Sequence, residues 1–136
     1  MNDIRYLLLT IANIDNILKI EITIIDKGGD DMAREKFQTL TEQMFYILLC
    51  LRQECCGTDI MAQIQAVTGG RVSVGPGTLY NLLESFLTAG MIRETKVEGR
   101  KRSYLITDAG EKALQDEYDR LMRLTADYRA AFGKED

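Results

Sequence analysis

The chain has one proline, Pro76, set between Gly75 and Gly77, and this triplet constrains the fold more than any other stretch. Proline suits the first turn of a helix, where its missing N–H would have no intrahelical partner, and is disfavoured further in. A helix therefore starts at Pro76. Behind it Leu79, Leu82, Leu83, Phe86 and Leu87 fall at helical spacing as a buried stripe, while Thr78, Asn81, Glu84 and Ser85 point elsewhere; Gly90 offers the left-handed position that ends a helix.

The segments on either side follow from that anchor. Upstream, Thr39-Leu40-Thr41-Glu42 offers a capping box of Thr39 with Glu42, or Thr41 as the cap. Met44, Ile47, Leu48 and Leu51 then predict a first helix of about 41–54. Thr58 caps a second helix whose Ile60, Met61, Ile64 and Val67 face inward, stopped by Gly69-Gly70; Arg71 to Gly75 is an extended connection. Downstream, residues 92–97 and 103–107 read as two strands around a basic tip, Glu98-Gly99-Arg100-Lys101-Arg102. Thr107 or Asp108, with Glu111 placed to complete a box on Asp108, caps a last helix. The fold class expected is mainly α with a small β-hairpin.

The last helix carries Leu114, Tyr118, Leu121, Thr125, Tyr128 and Phe132 at steps of four and three. A small three-helix head covers only the first turns of such a stripe. The remainder is expected to pair with a second copy, giving a homodimer through a helix at 108–136; folding back on its own head is the alternative.

Residues 1–31 differ from the rest, being isoleucine-rich, crossed by Asn and Asp, and without sustained periodicity. Lys27-Gly28-Gly29-Asp30 back-translates to a sequence like a bacterial ribosome-binding site, suitably spaced before the Met32 codon. The expectation is that Met32 is the natural start and 1–31 is translated upstream sequence, against the alternative of a flexible N-terminal arm. Peptides from 1–31 in native protein would contradict the early start. The head is then expected over 32–107.

The formal charge is −4, so any contact with a polyanion has to be local. Arg93, Lys96, Arg100, Lys101 and Arg102 face only Glu94 and Glu98, a cationic patch on a near-neutral body. With no histidine and no cysteine pairs at metal spacing, neither a metal site nor a cofactor is expected, and enzyme chemistry lacks a paired catalytic group; Gly75-Pro76-Gly77-Thr78 lacks the lysine of a P-loop. Three cysteines, Cys50, Cys55 and Cys56, suit a reducing cytoplasm, and no stretch is long enough to span a membrane. Cys55-Cys56 are read as buried thiols or as a redox sensor in the turn between the first two helices.

Taken in order, Leu40-Thr41-Glu42 with Ile47-Leu48-Leu49, Gly77-Thr78-Leu79-Tyr80 with Leu83, Gly90 with Ile92, Gly99-Arg100-Lys101-Arg102 with Tyr104, and Leu105, Thr107 and Gly110 resemble the PadR family of bacterial transcriptional regulators. The likeness runs over about 32–132 in one register. It implies a winged helix-turn-helix domain plus a C-terminal dimerisation helix, in the branch with a single short helix there, and repression of a nearby promoter through a palindromic operator. Two departures stand out. Cys56-Gly57-Thr58 replaces a His-Gly-Tyr-like turn, and without tryptophan the Trp-lined drug pocket of some relatives does not carry over.

The expected partners are a double-stranded DNA operator, a second copy of the chain and a small-molecule effector. In the recognition helix Thr78 and Asn81 present short polar groups to base edges. Ser73, Gly75 and Gly77 leave the backbone free to approach a phosphate, and Tyr80 either directs its hydroxyl to phosphate or base or is a half-buried aromatic between helix and wing. Arg100, Lys101 and Arg102 form a wing on the phosphate backbone, and Lys36, with Arg34 less directly, adds contacts before the first helix. The competing expectation is a winged-helix adaptor that binds another protein and no DNA, in keeping with the acidic balance.

Overall fold

The computed structural model describes residues 37–133; the N-terminal extension, Arg34 and Lys36 lie outside the described residues. Helices α1 (Glu42–Cys50), α2 (Gly57–Thr68) and α3 (Pro76–Thr88) lead into the hairpin of β2 (Ile92–Glu98) and β3 (Lys101–Ile106), and α4 (Asp108–Phe132) closes the chain. A short strand β1 (Cys55–Cys56) pairs antiparallel with β3, making a three-stranded sheet of order β1-β3-β2. The architecture is mainly helical, a winged helix-turn-helix with one additional helix.

Ile47, Leu48, Ile60, Ile64, Leu79, Leu83, Phe86 and Met91 are essentially buried, one stripe from each helix of the trihelical head, and Ile92, Tyr104 and Ile106 close the core from the sheet. Phe37 adds an aromatic contact to Phe86, ring centroids 5.3 Å apart. Val67, expected inside, is 68% exposed because the last turn of α2 runs beyond the core.

At the element ends the structure selects one of two expected caps for α1 and for α4, and corrects three further expectations. Thr41, not Thr39, caps α1 by accepting from the Met44 amide at 3.2 Å. That helix stops at Cys50 instead of running on to about 54, because Leu51 turns into the core and its carbonyl accepts from the Ile106 amide at 2.8 Å. The chain is thereby delivered to the edge of β3, where Cys55 and Cys56 pair with Tyr104 and Ser103. Cys56 takes the cap position of α2 without a side-chain cap bond, so Thr58 lies inside the first turn. The hairpin tip shrinks to Gly99-Arg100, with Gly99 at φ +64° and Glu98 opposite Lys101; Lys101 and Arg102 are strand residues, held there by the ladder. Thr107 caps α4 by accepting from Gly110, which leaves Glu111 outside a box on Asp108.

The first half of α4 docks on its own head. Ala113 and Leu114 pack against the core, and the Glu117 carboxylate, 3% exposed, accepts from the Leu40 amide at 3.2 Å and from Arg120 at 3.0 Å. The hydrogen bonds from Arg120, the larger influence, and from Leu40 hold its pKa below the usual carboxylate range against the opposing effect of burial. From Leu121 onward every described residue of α4 is exposed.

Burial raises the Cys55 thiol to about 11, with the Asp59 charge adding to the effect, and burial also pushes Cys50 up. This is the reverse of a reactive thiol, which needs a stabilised thiolate. Because the folded state favours the protonated form, its contribution to stability is whole below the unfolded thiol pKa near about 8.5 and is lost as pH rises toward the folded value. Native Cys55 should therefore be alkylated by iodoacetamide at about pH 8 far more slowly than in denaturant. Equal rates, read by mass spectrometry, would contradict the buried-thiol assignment.

Candidate nucleic-acid interface

Helix α3 is presented by its own sequence. Pro76 occupies the first helical position and Gly75 the cap, with no side chain bonded to the leading amides. Thr78 and Asn81, three residues apart and exposed, share a face on the side of α3 away from Leu79 and Leu83. The preceding loop is fastened to α1: the Ser73 carbonyl accepts from Gln43 Nε2 at 3.0 Å, and Arg71 donates to Glu42 at 2.8 Å and to the Tyr46 hydroxyl at 3.0 Å. Sequence reasoning did not single out Arg71, since a lone cation in an extended connection carries no periodic signal.

Gly75 and Gly77 have negative φ or ordinary backbone, and a Cβ added at either meets nothing within 4 Å. Intramolecular packing thus gives no reason for glycine at 77. An alanine there should leave the fold intact or stabilise it by up to about 1 kcal/mol through helix propensity. If the bare backbone serves a docking phosphate, the same Gly77→Ala change should weaken binding to DNA of any sequence. Thermal melts and anisotropy titrations check the two signs separately, and unchanged binding would remove Gly77 from the interface.

The wing stands beside α3. Arg102 is tied to Glu94 at 2.9 Å, whereas Arg100 at the turn and Lys101 at the start of β3 are exposed and make no ion pair with other described residues. Register slips between Glu94 and Lys96, a bulge that leaves Thr95 unpaired in the ladder. Tyr104 is buried, and that burial raises its pKa, with the Glu94 charge second, so its hydroxyl stays protonated.

Tyr80 is 47% exposed, and its hydroxyl leans over the α-carbon of Gly57 at the start of α2. Together Tyr80, Cys56, Gly57, Thr58, Tyr104 and the three wing cations line one cleft of about 630 Å³. The structure therefore brings Tyr80 together with Arg100, Lys101 and Arg102, and adds Gly57 and Thr58, which the sequence marks as the turn into the second helix but not as part of the site. Ser73, Gly77, Thr78 and Asn81 are exposed around the adjoining end of α3. The cations and hydroxyls of this cleft, and the uncapped amides at the start of α3, are the chemistry that holds an anionic polymer.

On α4, Leu114 is engaged by its own core, while Tyr118, Leu121, Tyr128 and Phe132 of the expected stripe are exposed, Phe132 by 63%. Thr125, also exposed, bonds back to the Met122 carbonyl at 2.9 Å, and the Tyr128 and Phe132 rings stack 4.7 Å apart. Met122 and Leu124 widen the apolar face beyond what strict spacing named. Among the described residues no helix is long and apolar enough to cross a membrane.

A family model described as the transcriptional regulator PadR-like family matches residues 47–116, from the middle of α1 through the wing to the docked half of α4. An uncharacterized 37.1 kDa protein in transposon TN4556 of Streptomyces fradiae is 35% identical over 69 residues, which are 51% of this chain and 19% of that protein. The chain thus spans a minor part of that relative. Among solved structures, a transcriptional regulator from Clostridium thermocellum is 22% identical with a TM-score of 0.55, covering 76% of this chain and 99% of that one. A PadR-like transcription factor from Bacteroides fragilis is also 22% identical with a TM-score of 0.55, covering 65% and 87%. At such identities the likeness to the solved structures is one of fold.

Proposed function

The chain belongs to the PadR-like family of transcriptional regulators, and from that premise we propose that it is a dimeric, sequence-specific DNA-binding repressor of the branch with a single short C-terminal helix. The observation that carries this reading is the placement of an exposed Thr78 and Asn81 on α3 beside a wing whose Arg100 and Lys101 are uncompensated. Base readers sit on a helix that fits a major groove, and cations sit where the flanking backbone would run. Two such heads, joined through the apolar face of α4, match a palindromic operator in a nearby promoter.

Release by a small-molecule effector belongs to the same reading. A cleft of about 440 Å³ between α1 and α4, lined by residues including Phe45, Tyr46, Arg71, Glu117 and Arg120, reaches Leu121 on the exposed face. An effector held there would touch both the head and the pairing helix.

The test is anisotropy titration of the protein on duplexes from its own promoter and on scrambled duplexes, across a salt series. Tighter binding to the promoter, weakening steeply with salt, is the expected result. No binding to any duplex at low salt would overturn it in favour of a protein-binding adaptor. Within the same assay Asn81→Ala should lose about 1–3 kcal/mol of discrimination between operator and scrambled DNA while binding scrambled DNA as before. Equal losses on both would remove Asn81 from base reading.

A further inference from the structure

The geometry points to Gly57 as a positioning residue for Tyr80, whose hydroxyl, with the wing cations, holds one backbone phosphate of the DNA in the cleft between α2 and the wing. This rests on the DNA-binding reading and specifies how one part of the surface would work. Three observations converge on it.

The first is steric. A Cβ built on Gly57 would overlap the Tyr80 hydroxyl oxygen and lie 2.9 Å from the ring carbon bearing it. Gly57 has no positive φ, so backbone conformation does not call for glycine there; the seat for Tyr80 does. Tyr80 is half exposed, so a methyl group at 57 can push its ring outward without opening the core.

The second is chemical. The cleft is lined by Arg100, Lys101 and Arg102, by the Tyr80 and Tyr104 phenols and by Thr58. Among the three cations Glu94 pairs with Arg102 alone, leaving Arg100 and Lys101 to answer an anion. Asp59, in the same first turn of α2, is not on the lining. Glu94 and Glu84 act on Tyr104 and Arg102, so the uncompensated charge of the cleft lies at Arg100 and Lys101, beside the Tyr80 and Thr58 hydroxyls, an arrangement that suits a phosphate.

The third is local to α2. Cys56 provides no side-chain cap bond, so the leading amides of the helix are uncapped beside the place where the Tyr80 hydroxyl rests. A phosphate there would meet amides, phenol and guanidinium together. Tyr80 thus acts through its hydroxyl on the backbone, and Gly57 acts through Tyr80.

The experiment compares wild type, Tyr80→Phe, Gly57→Ala and the double variant on promoter and scrambled duplexes, with melting temperatures alongside. Tyr80→Phe keeps the ring and should weaken binding of the dimer about a hundredfold on both duplexes, about tenfold for the one hydrogen bond to a charged group lost in each half. Gly57→Ala should weaken binding similarly, and the double variant no more than Tyr80→Phe alone, with Gly57→Ala melting close to wild type. Wild-type affinity of Tyr80→Phe, a loss confined to the promoter duplex, or additive losses in the double variant would each overturn the inference while leaving DNA binding intact. Failure of wild type to bind any duplex would instead overturn the function on which it rests.

Discussion

Gly110→Ala is expected to lower the melting temperature by roughly 10–15 °C, although alanine is the better helix former. Gly110 is buried in the first turn of α4, where a Cβ would sit inside the contact radius of the Met91 carbonyl oxygen, 2.7 Å from the Ile106 side chain and 3.0 Å from the Met91 carbonyl carbon. The nearest obstruction is backbone, and that carbonyl already accepts from the Thr107 amide at 3.0 Å. It cannot retreat without opening the junction of α3, β3 and α4. Helix propensity offers about 1 kcal/mol in favour of alanine; overpacking against rigid backbone costs about 1–3 kcal/mol or more, and here several contacts act at once. Overpacking wins. Loss of the Thr107 cap, whose acceptor serves the Gly110 amide, adds to it. Differential scanning calorimetry decides the matter, and a variant that melts with wild type would show that the close approach of α4 to Met91 is wrong.

The paired substitution Arg100→Ala and Lys101→Ala is expected to weaken binding to every duplex by on the order of a hundredfold at moderate salt, with little change in operator preference. Both side chains are exposed and make no ion pair with described residues, so removal should hardly touch stability. In the proposed dimer four cations disappear. The slope of log affinity against log salt should then flatten by about 3.6, since each neutralised phosphate contributes about 0.9. Arg102 would respond differently: it starts in an ion pair with Glu94 and must exchange that partner for phosphate, so its deletion should cost less. An unchanged slope in the paired variant would show that the wing does not meet the backbone.

The main elements were legible because each carries a strong local rule. Pro76 dictated where α3 begins, the Leu79–Phe86 spacing dictated its buried face, and Gly69 and Gly90 at positive φ ended α2 and followed α3 as expected. What escaped was set by partners distant in sequence. Cys55–Cys56 form a strand because β3 offers an edge, and two residues are too few to show alternation. Lys101 and Arg102 read as loop because their charge suits one, yet cross-strand bonds draw them into the ladder. Glu117 reads as one more acid on a solvated helix face, and only the arrival of the Leu40 amide reveals it as a buried acceptor. In the candidate site, Thr78, Tyr80, Asn81 and Arg100–Arg102 are named by motif and charge, whereas Gly57 and Thr58, which the sequence marks only as a turn, join the site once α2 and α3 are set side by side.

Helix α4 runs 25 residues, and between Gly110 and Gly133 it holds neither glycine nor proline. The whole helix is about 37 Å long, and the half from Leu121 onward leaves the head as a stiff rod of about 18 Å with no built-in joint. Were that half clasped to a second copy, each head would inherit a fixed torsional phase from the rod. One inserted residue in the free half would turn that grip by about 100° and advance it about 1.5 Å. Over evolution such a rod tolerates length changes in whole turns more readily than in single steps, so drift in α4 and drift in the distance between operator half-sites would be geared to each other.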